Sequence, residues 1–246
     1  MRRAAIFLLL LFCCGIAATA ATKSLFEKGV DAYRQGNVEE ALKTWQSVYD
    51  QGYQSGALCY NLGNAYYRLG NTSQAILFYE RSKKLLPRDK DVTANLSLAR
   101  MSIVDRVEAP VRLVIWNWVD VARDFFSLRE LRLLFIWFGL LSCACIIATV
   151  LLSGRISRAI PTVVLVVWLL FGVVFVWRSI LDSRPHAIIT VDKVDVKSAP
   201  DETAKDVFAL HEGLKIRIKS GLAGWLNIEL ADGRQGWIPA AQAEQI

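Results

Sequence analysis

Apolar positions divide the chain into stretches with different periods. Ala4 to Ala17 is an uncharged apolar run behind Arg2 and Arg3. Leu133 to Ser153 and Ala159 to Trp177 are two longer charge-free runs. Between the first run and the second, residues recur at an offset of 34: Gly29 and Gly63, Gly36 and Gly70, Asn37 and Asn71, Ala41 and Ala75. Tyr33-Arg34 recurs as Tyr67-Arg68, and Trp45 as the aromatic Tyr79. From Ala187 onward the period falls to two, as in Leu214, Ile216 and Ile218 or Leu226, Ile228 and Leu230. A fixed offset near this length predicts stacked helical units, and strict alternation predicts half-buried strands.

The first run is too short to span a bilayer and has the form of a secretory signal: a charged start, an apolar centre and the small-residue site Ala18-Thr19-Ala20. A signal peptide over residues 1–20 is expected. A lipoprotein site at Cys13 or Cys14 is the rival reading, and it meets the bulky Phe12 where small residues are wanted.

Each repeated residue in residues 23–106 has a physical use. The first glycine of a unit lets two helices approach. Gly36-Asn37 and Gly70-Asn71 end a helix and turn the chain, because both residue types tolerate left-handed geometry. Ala41 and Ala75 sit at the crossing, Trp45 and Tyr79 fill the space beside it, and Pro87 closes the second unit. The stretch Tyr60-Asn61-Leu62-Gly63-Asn64-Ala65-Tyr66-Tyr67-Arg68-Leu69-Gly70 resembles the tetratricopeptide family. The first unit departs from the pattern at Ala32 and Tyr53. A third helix, over 91–104, continues the register and is expected to cap the stack. The resemblance implies a partner-binding groove lined by first helices, which would show Phe26, Tyr33, Arg34, Tyr60, Asn64, Tyr67 and Arg68. Aromatics beside arginines suit protein docking, although each tyrosine also has a plain packing role open to it. Of the residues with which some members clamp a terminal carboxylate, only Asn61 matches, so carboxylate capture is not expected.

The runs 133–153 and 159–177 are each about 20 residues, enough to cross the hydrocarbon core. The connection at 154–158 is too short for a domain, so they form a hairpin. Arg155 and Arg158 suit a cytoplasmic loop, but Arg123, Arg129, Arg132, Arg178 and Arg184 flank the other ends. Loop charge therefore does not set the orientation; the exporting signal and two crossings do. Within the segment 107–132, Val111–Phe126 reads as a helix lying on the membrane surface or, equally, as a partner-binding helix.

Five short strands are expected in residues 186–246, with a tight turn at Asp232-Gly233. The motifs Val194-Asp195-Val196-Lys197-Ser198-Ala199-Pro200, Leu210-His211-Glu212-Gly213, Gly224-Trp225 and Asp232-Gly233-Arg234-Gln235-Gly236-Trp237-Ile238-Pro239 resemble the bacterial SH3 family. That resemblance implies a small barrel, with Trp225 and Trp237 as candidate contacts to cell-wall peptides or proteins if they are not simply structural. The fold class is thus multidomain: all-α tetratricopeptide repeats, a two-helix transmembrane hairpin and a small all-β SH3-like barrel.

The formal charge is +6, with basic residues scattered among acidic ones, which argues against nucleic-acid binding. Cys59, Cys143 and Cys145 have neither metal-ligand nor redox spacing. Two histidines, His186 and His211, and dispersed carboxylates form no catalytic constellation, and no phosphate loop or nucleophile elbow is present. No enzyme activity, metal or cofactor is expected. The order of segments resembles the Bacteroides aerotolerance family of membrane proteins. That resemblance implies a scaffold in the bacterial inner membrane, with repeats and SH3 module in the periplasm. Its implied partners are von Willebrand A-domain membrane proteins and a MoxR-type ATPase system. A cell-wall sensor binding peptidoglycan through the SH3 module is the alternative.

Overall fold

The computed structural model describes residues 23–105, 107, 125–151, 159–182 and 185–246. Five helices come first: α1 (23–34), α2 (Val38–Asp50), α3 (Gly56–Arg68), α4 (Thr72–Leu85) and α5 (Lys90–Met101). The turns α1–α2 and α3–α4 use Gly36 at φ +87° and Gly70 at φ +82°, a region closed to most side chains. Asn71 then caps α4, its Oδ1 accepting from the Gln74 N–H at 3.1 Å. Ser55 caps α3 and Asp89 caps α5 in the same way.

The helices pair through the glycine–aromatic couples that recur in sequence. A Cβ on Gly29 would lie 2.4 Å from Trp45, and one on Gly63 would lie 2.5 Å from Tyr79. Both aromatics are fully buried. Trp45 retains a hydrogen bond, donating from Nε1 to the Phe26 carbonyl at 3.1 Å.

Helices α6 (Leu128–Leu151) and α7 (Ala159–Asp182) form an antiparallel pair. Both are long and apolar enough to cross a membrane, and almost none of the residues in their apolar stretches is buried. At 24 residues each is about 36 Å long, a little more than a hydrocarbon core. The first starts five residues before the expected span. Ser127 and Glu130 form a capping box there: the Glu130 carboxylate accepts from the Ser127 N–H at 2.9 Å, and the Glu130 N–H donates to Ser127 Oγ at 3.3 Å. Packing between the two helices again uses glycine notches. Gly139 faces Trp168, and Gly172 faces Phe135. Phe135 stacks on Trp168 at 5.3 Å, and Phe138 on Phe171 at 5.0 Å. The turn between α4 and α5 holds the start of α6: Arg88 pairs with Glu130, and its guanidinium lies over the rings of Phe125 and Phe126 at 5.1 and 5.8 Å.

The C-terminal segment forms β1 (His186–Ile189), β2 (Lys193–Lys197), β3 (Asp206–His211), β4 (Lys215–Leu222), β5 (Trp225–Glu229), β6 (Gln235–Pro239) and β7 (Ala243–Gln245). Seven strands replace the expected five. The second strand expected from Val194 and Val196 pairs with a separate β3, and β7 returns along β1. The antiparallel order is β3-β2-β6-β5-β4-β1-β7. Among the described residues no ladder joins β3 to β7, so the sheet is open rather than the closed barrel expected. Bulges at Val196/Lys197 and Ile218/Ser220 bend it around a core of Ile189, Val196, Leu210, Ile216, Ile228 and Ile238. Leu214, Ile216 and Ile218 are buried as their alternation predicts. The Asp232-Gly233 turn joins β5 to β6, with Gly233 at φ +91°. His211 ends β3.

The sheet is docked on the repeats. Ile188 is fully buried in one cluster with Ala75, Ile76, Leu77 and Tyr79 of α4 and Leu96 and Ala99 of α5. Helix α5, expected to cap the stack, therefore carries a further layer. The expected signal peptide over 1–20, the expected loop 154–158 and the expected surface helix over Val111–Phe126, apart from Phe125 and Phe126, lie outside the described residues.

Candidate functional site

The first helices α1, α3 and α5 line a groove. Tyr33, Asn64, Tyr67 and Arg68, four of the residues expected there, surround one cavity of about 170 Å³ together with Tyr79, Asn95 and Leu98. The turn spacing of the helix explains part of this. Asn64, Tyr67 and Arg68 stand three and four positions apart on α3, so they share a face. The matching Tyr33 comes from α1, and the Arg68 guanidinium lies 5.2 Å from its ring centre.

The floor of the cavity is a hydrogen-bond network. Tyr79 Oη donates to Asn64 Oδ1 at 2.8 Å. Asn95 Nδ2 donates to the same oxygen at 2.9 Å and to Tyr60 Oη at 3.1 Å. Burial, with the neighbouring tyrosines adding to it, pushes the Tyr79 hydroxyl far above its ordinary range. It remains a neutral donor at physiological pH. Asn64 is thereby fixed in place, while the Arg68 side chain stays exposed to solvent.

Three expected groove residues stand elsewhere. Tyr60 supports the floor through Asn95 and packs 6.1 Å from Tyr79. Phe26 faces a separate hollow of about 250 Å³ with Tyr53, Val48 and Leu58. Arg34 points into solvent, its side chain 75% exposed, with Asp31 3.8 Å away. Conversely, Asn95 and Tyr79 belong to the site without being among the groove residues expected from sequence. Asn95 lies 34 residues after Asn61, so the repeat offset already marked it.

On the sheet, Trp225 and Trp237 are half-buried. They lie on the face opposite the core, since Leu226, Ile228 and Ile238 alternate with them inward. Trp237 is in register with Asn227 and with Lys197, and Trp225 with Pro239.

No group of three or more metal-ligating side chains occurs among the described residues. His211 is engaged instead by Asp105, which accepts its backbone N–H at 2.6 Å and contacts its Nδ1 at 3.1 Å. Burial pushes the Cys59 thiol up to about 11, so it is not a thiolate nucleophile at neutral pH.

A family model for the tetratricopeptide repeat matches residues 57–89, which cover α3, α4 and the turn after them. No curated protein matches the chain. The matched repeat suggests a protein–protein interaction scaffold; repeats of this kind are typically non-catalytic, and no catalytic family is indicated.

Proposed function

We propose that this chain is a membrane-held, non-catalytic scaffold of the bacterial envelope, BatE-like in organisation, which binds segments of partner proteins in its repeat groove. The observation that carries this reading is the convergence of Tyr33, Asn64, Tyr67 and Arg68 on one cavity over a hydrogen-bonded floor. Exposed arginine beside partly buried aromatic rings is the composition that dominates binding energy at protein interfaces. The order of segments supports von Willebrand A-domain membrane proteins and a MoxR-type ATPase system as partners, in a stress or aerotolerance complex.

Helices α6 and α7 are the membrane hairpin of this reading, and the SH3-like sheet shares the periplasmic side with the repeats. The docked interface supports the shared side, because Ile188 reaches the core of α4 and α5 only if sheet and repeats lie on the same side of the membrane. Reporter fusions after Ser153 and at the C-terminus test it; a cytoplasmic C-terminus overturns it. The groove is tested by co-purification from detergent: Tyr67→Ala with Arg68→Ala releases the partners, and undiminished recovery refutes the assignment.

A second reading, a cell-wall sensor, is favoured by the outward Trp225 and Trp237. The full chain would then sediment with purified sacculi, and Trp225→Ala with Trp237→Ala would abolish this.

A further inference from the structure

The strongest unassigned feature is the contact between sheet and repeats. Helix α5 reproduces α3 at the repeat offset: Leu58, Leu62 and Ala65 recur as Val92, Leu96 and Ala99, all buried. Such a helix has two apolar sides, one toward the preceding unit and one toward the next layer of the stack. Among the described residues, the sheet provides that layer.

The contact has an apolar centre and a charged rim. At the centre, Ile188 enters the cluster of α4 and α5, with Ile103 and Ile246 beside it. Gly213, at φ +79°, lies so close that a Cβ there would be 2.5 Å from Ile103 and 3.1 Å from Ile76. At one side Glu80 of α4, its side chain only 6% exposed, takes Lys215 of β4 at 2.9 Å and also pairs with Arg100 of α5. At the other side Arg81 meets Glu244 at 3.0 Å, Gln74 donates to Glu244 at 3.3 Å, and Lys84 donates to the Ile246 carbonyl at 3.1 Å.

The two helices that receive the sheet also build the groove, through adjacent residues. On α4, Tyr79 supports Asn64 while Glu80 holds Lys215. On α5, Asn95 joins the groove floor while Leu96 packs in the cluster with Ile188.

We infer that the sheet is the closing layer of the repeat stack, and that groove and sheet form one coupled unit rather than two independent binding modules. A partner that orders the groove strengthens sheet docking, and loss of docking loosens α5 and the groove floor with it. By reciprocity, anything engaging the outer face of the docked sheet alters groove affinity by the factor with which groove occupancy alters its own.

Hydrogen exchange on the full chain in detergent micelles tests this without any partner, so its outcome is separate from that of the scaffold reading. Docking is reported independently by a disulfide between Gln74→Cys and Glu244→Cys, introduced with Cys143→Ala and Cys145→Ala. Ile188→Asp is expected to abolish the disulfide and to speed exchange of the α5 amides by about tenfold or more, with β5 and β6 still protected. Val207→Asp, at an exposed position on β3, changes neither. If Ile188→Asp unfolds the sheet, the isosteric Glu80→Gln, read the same way, gives a smaller rise confined to α4 and α5. A disulfide that still forms in Ile188→Asp, or α5 exchange unchanged once the disulfide is lost, overturns the proposal.

Discussion

The carboxylate of Glu80 and the ammonium of Lys215 lie 2.9 Å apart across 135 residues that include both apolar helices. Burial alone would raise the Glu80 pKa, but Lys215 and Arg100 outweigh it and hold the group below the ordinary value of 4.5. A carboxylate whose folded pKa is depressed contributes stability above its unfolded pKa and loses it as pH falls through the folded one. Sheet docking is therefore expected to be at full strength near neutrality and to weaken as pH drops below 4.5. Thermal unfolding in detergent from pH 7 downward measures this, and Glu80→Gln should flatten the dependence.

The glycine notches of the repeats predict a graded loss. Gly63→Ala places a methyl group within 2.5 Å of the Tyr79 ring, and that buried ring has little room to move. A cost of about 1–3 kcal/mol is expected, with Gly63→Val costing more. Denaturant titration followed by circular dichroism would show it. Wild-type stability for Gly63→Ala would mean that the two helices slide apart without penalty.

Asn95 and Arg34 should behave oppositely. Asn95→Ala removes the bonds to Tyr60 and Asn64 and leaves the Asn64 oxygen with Tyr79 alone. A stability loss of about 1–2 kcal/mol and weaker partner recovery are expected. Arg34→Ala removes only an exposed pairing with Asp31, worth well under about 1 kcal/mol, and should leave unfolding unchanged.

In the hairpin, Gly172→Leu drives a side chain into Phe135, which a Cβ alone would approach to 3.0 Å. On the membrane reading proposed above, lipid leaves no hydrophobic force between the helices, and close packing of this kind would hold them together. The variant should separate α6 from α7, seen as lost cross-linking between cysteines placed at Phe138 and Phe171, whose rings stack at 5.0 Å. An unchanged cross-link yield would show that the notch is dispensable.

Much of this architecture is legible in the residues themselves. The offset of 34 locates both glycine–aromatic couples, and alternation places Leu214, Ile216 and Ile218 inward. Other signals are present but carry two meanings. Ala187-Ile188-Ile189 is a continuous apolar run, which marks a strand buried on both faces, yet the same residues also suit one strand of an isolated module. Ser127 and Glu130 spell the capping box that moves the start of α6 to Leu128, but the charge of Glu130 and Arg132 draws the boundary later. Glu80 is hidden altogether. A glutamate in an amphipathic helix reads as surface, and only the fold brings Lys215 and Arg100 to it. In the groove, long-range pairing again decides the outcome: Tyr33 and Arg68 meet across two units, whereas Phe26 and Arg34 diverge from them.

The docked sheet also limits how this chain can be recombined. A domain graft usually succeeds when its boundary crosses few contacts, and here the visible boundaries in sequence are the wrong places to cut. Replacing the β module with that of another protein would bring a foreign residue to the position of Ile188, a side chain to that of Gly213 and an arbitrary charge opposite Glu80. A working chimera would have to carry Ile188, Gly213, Lys215 and Glu244 as a set matched to Ile76, Glu80 and Arg81. What has to be transferred intact is this interface rather than either module.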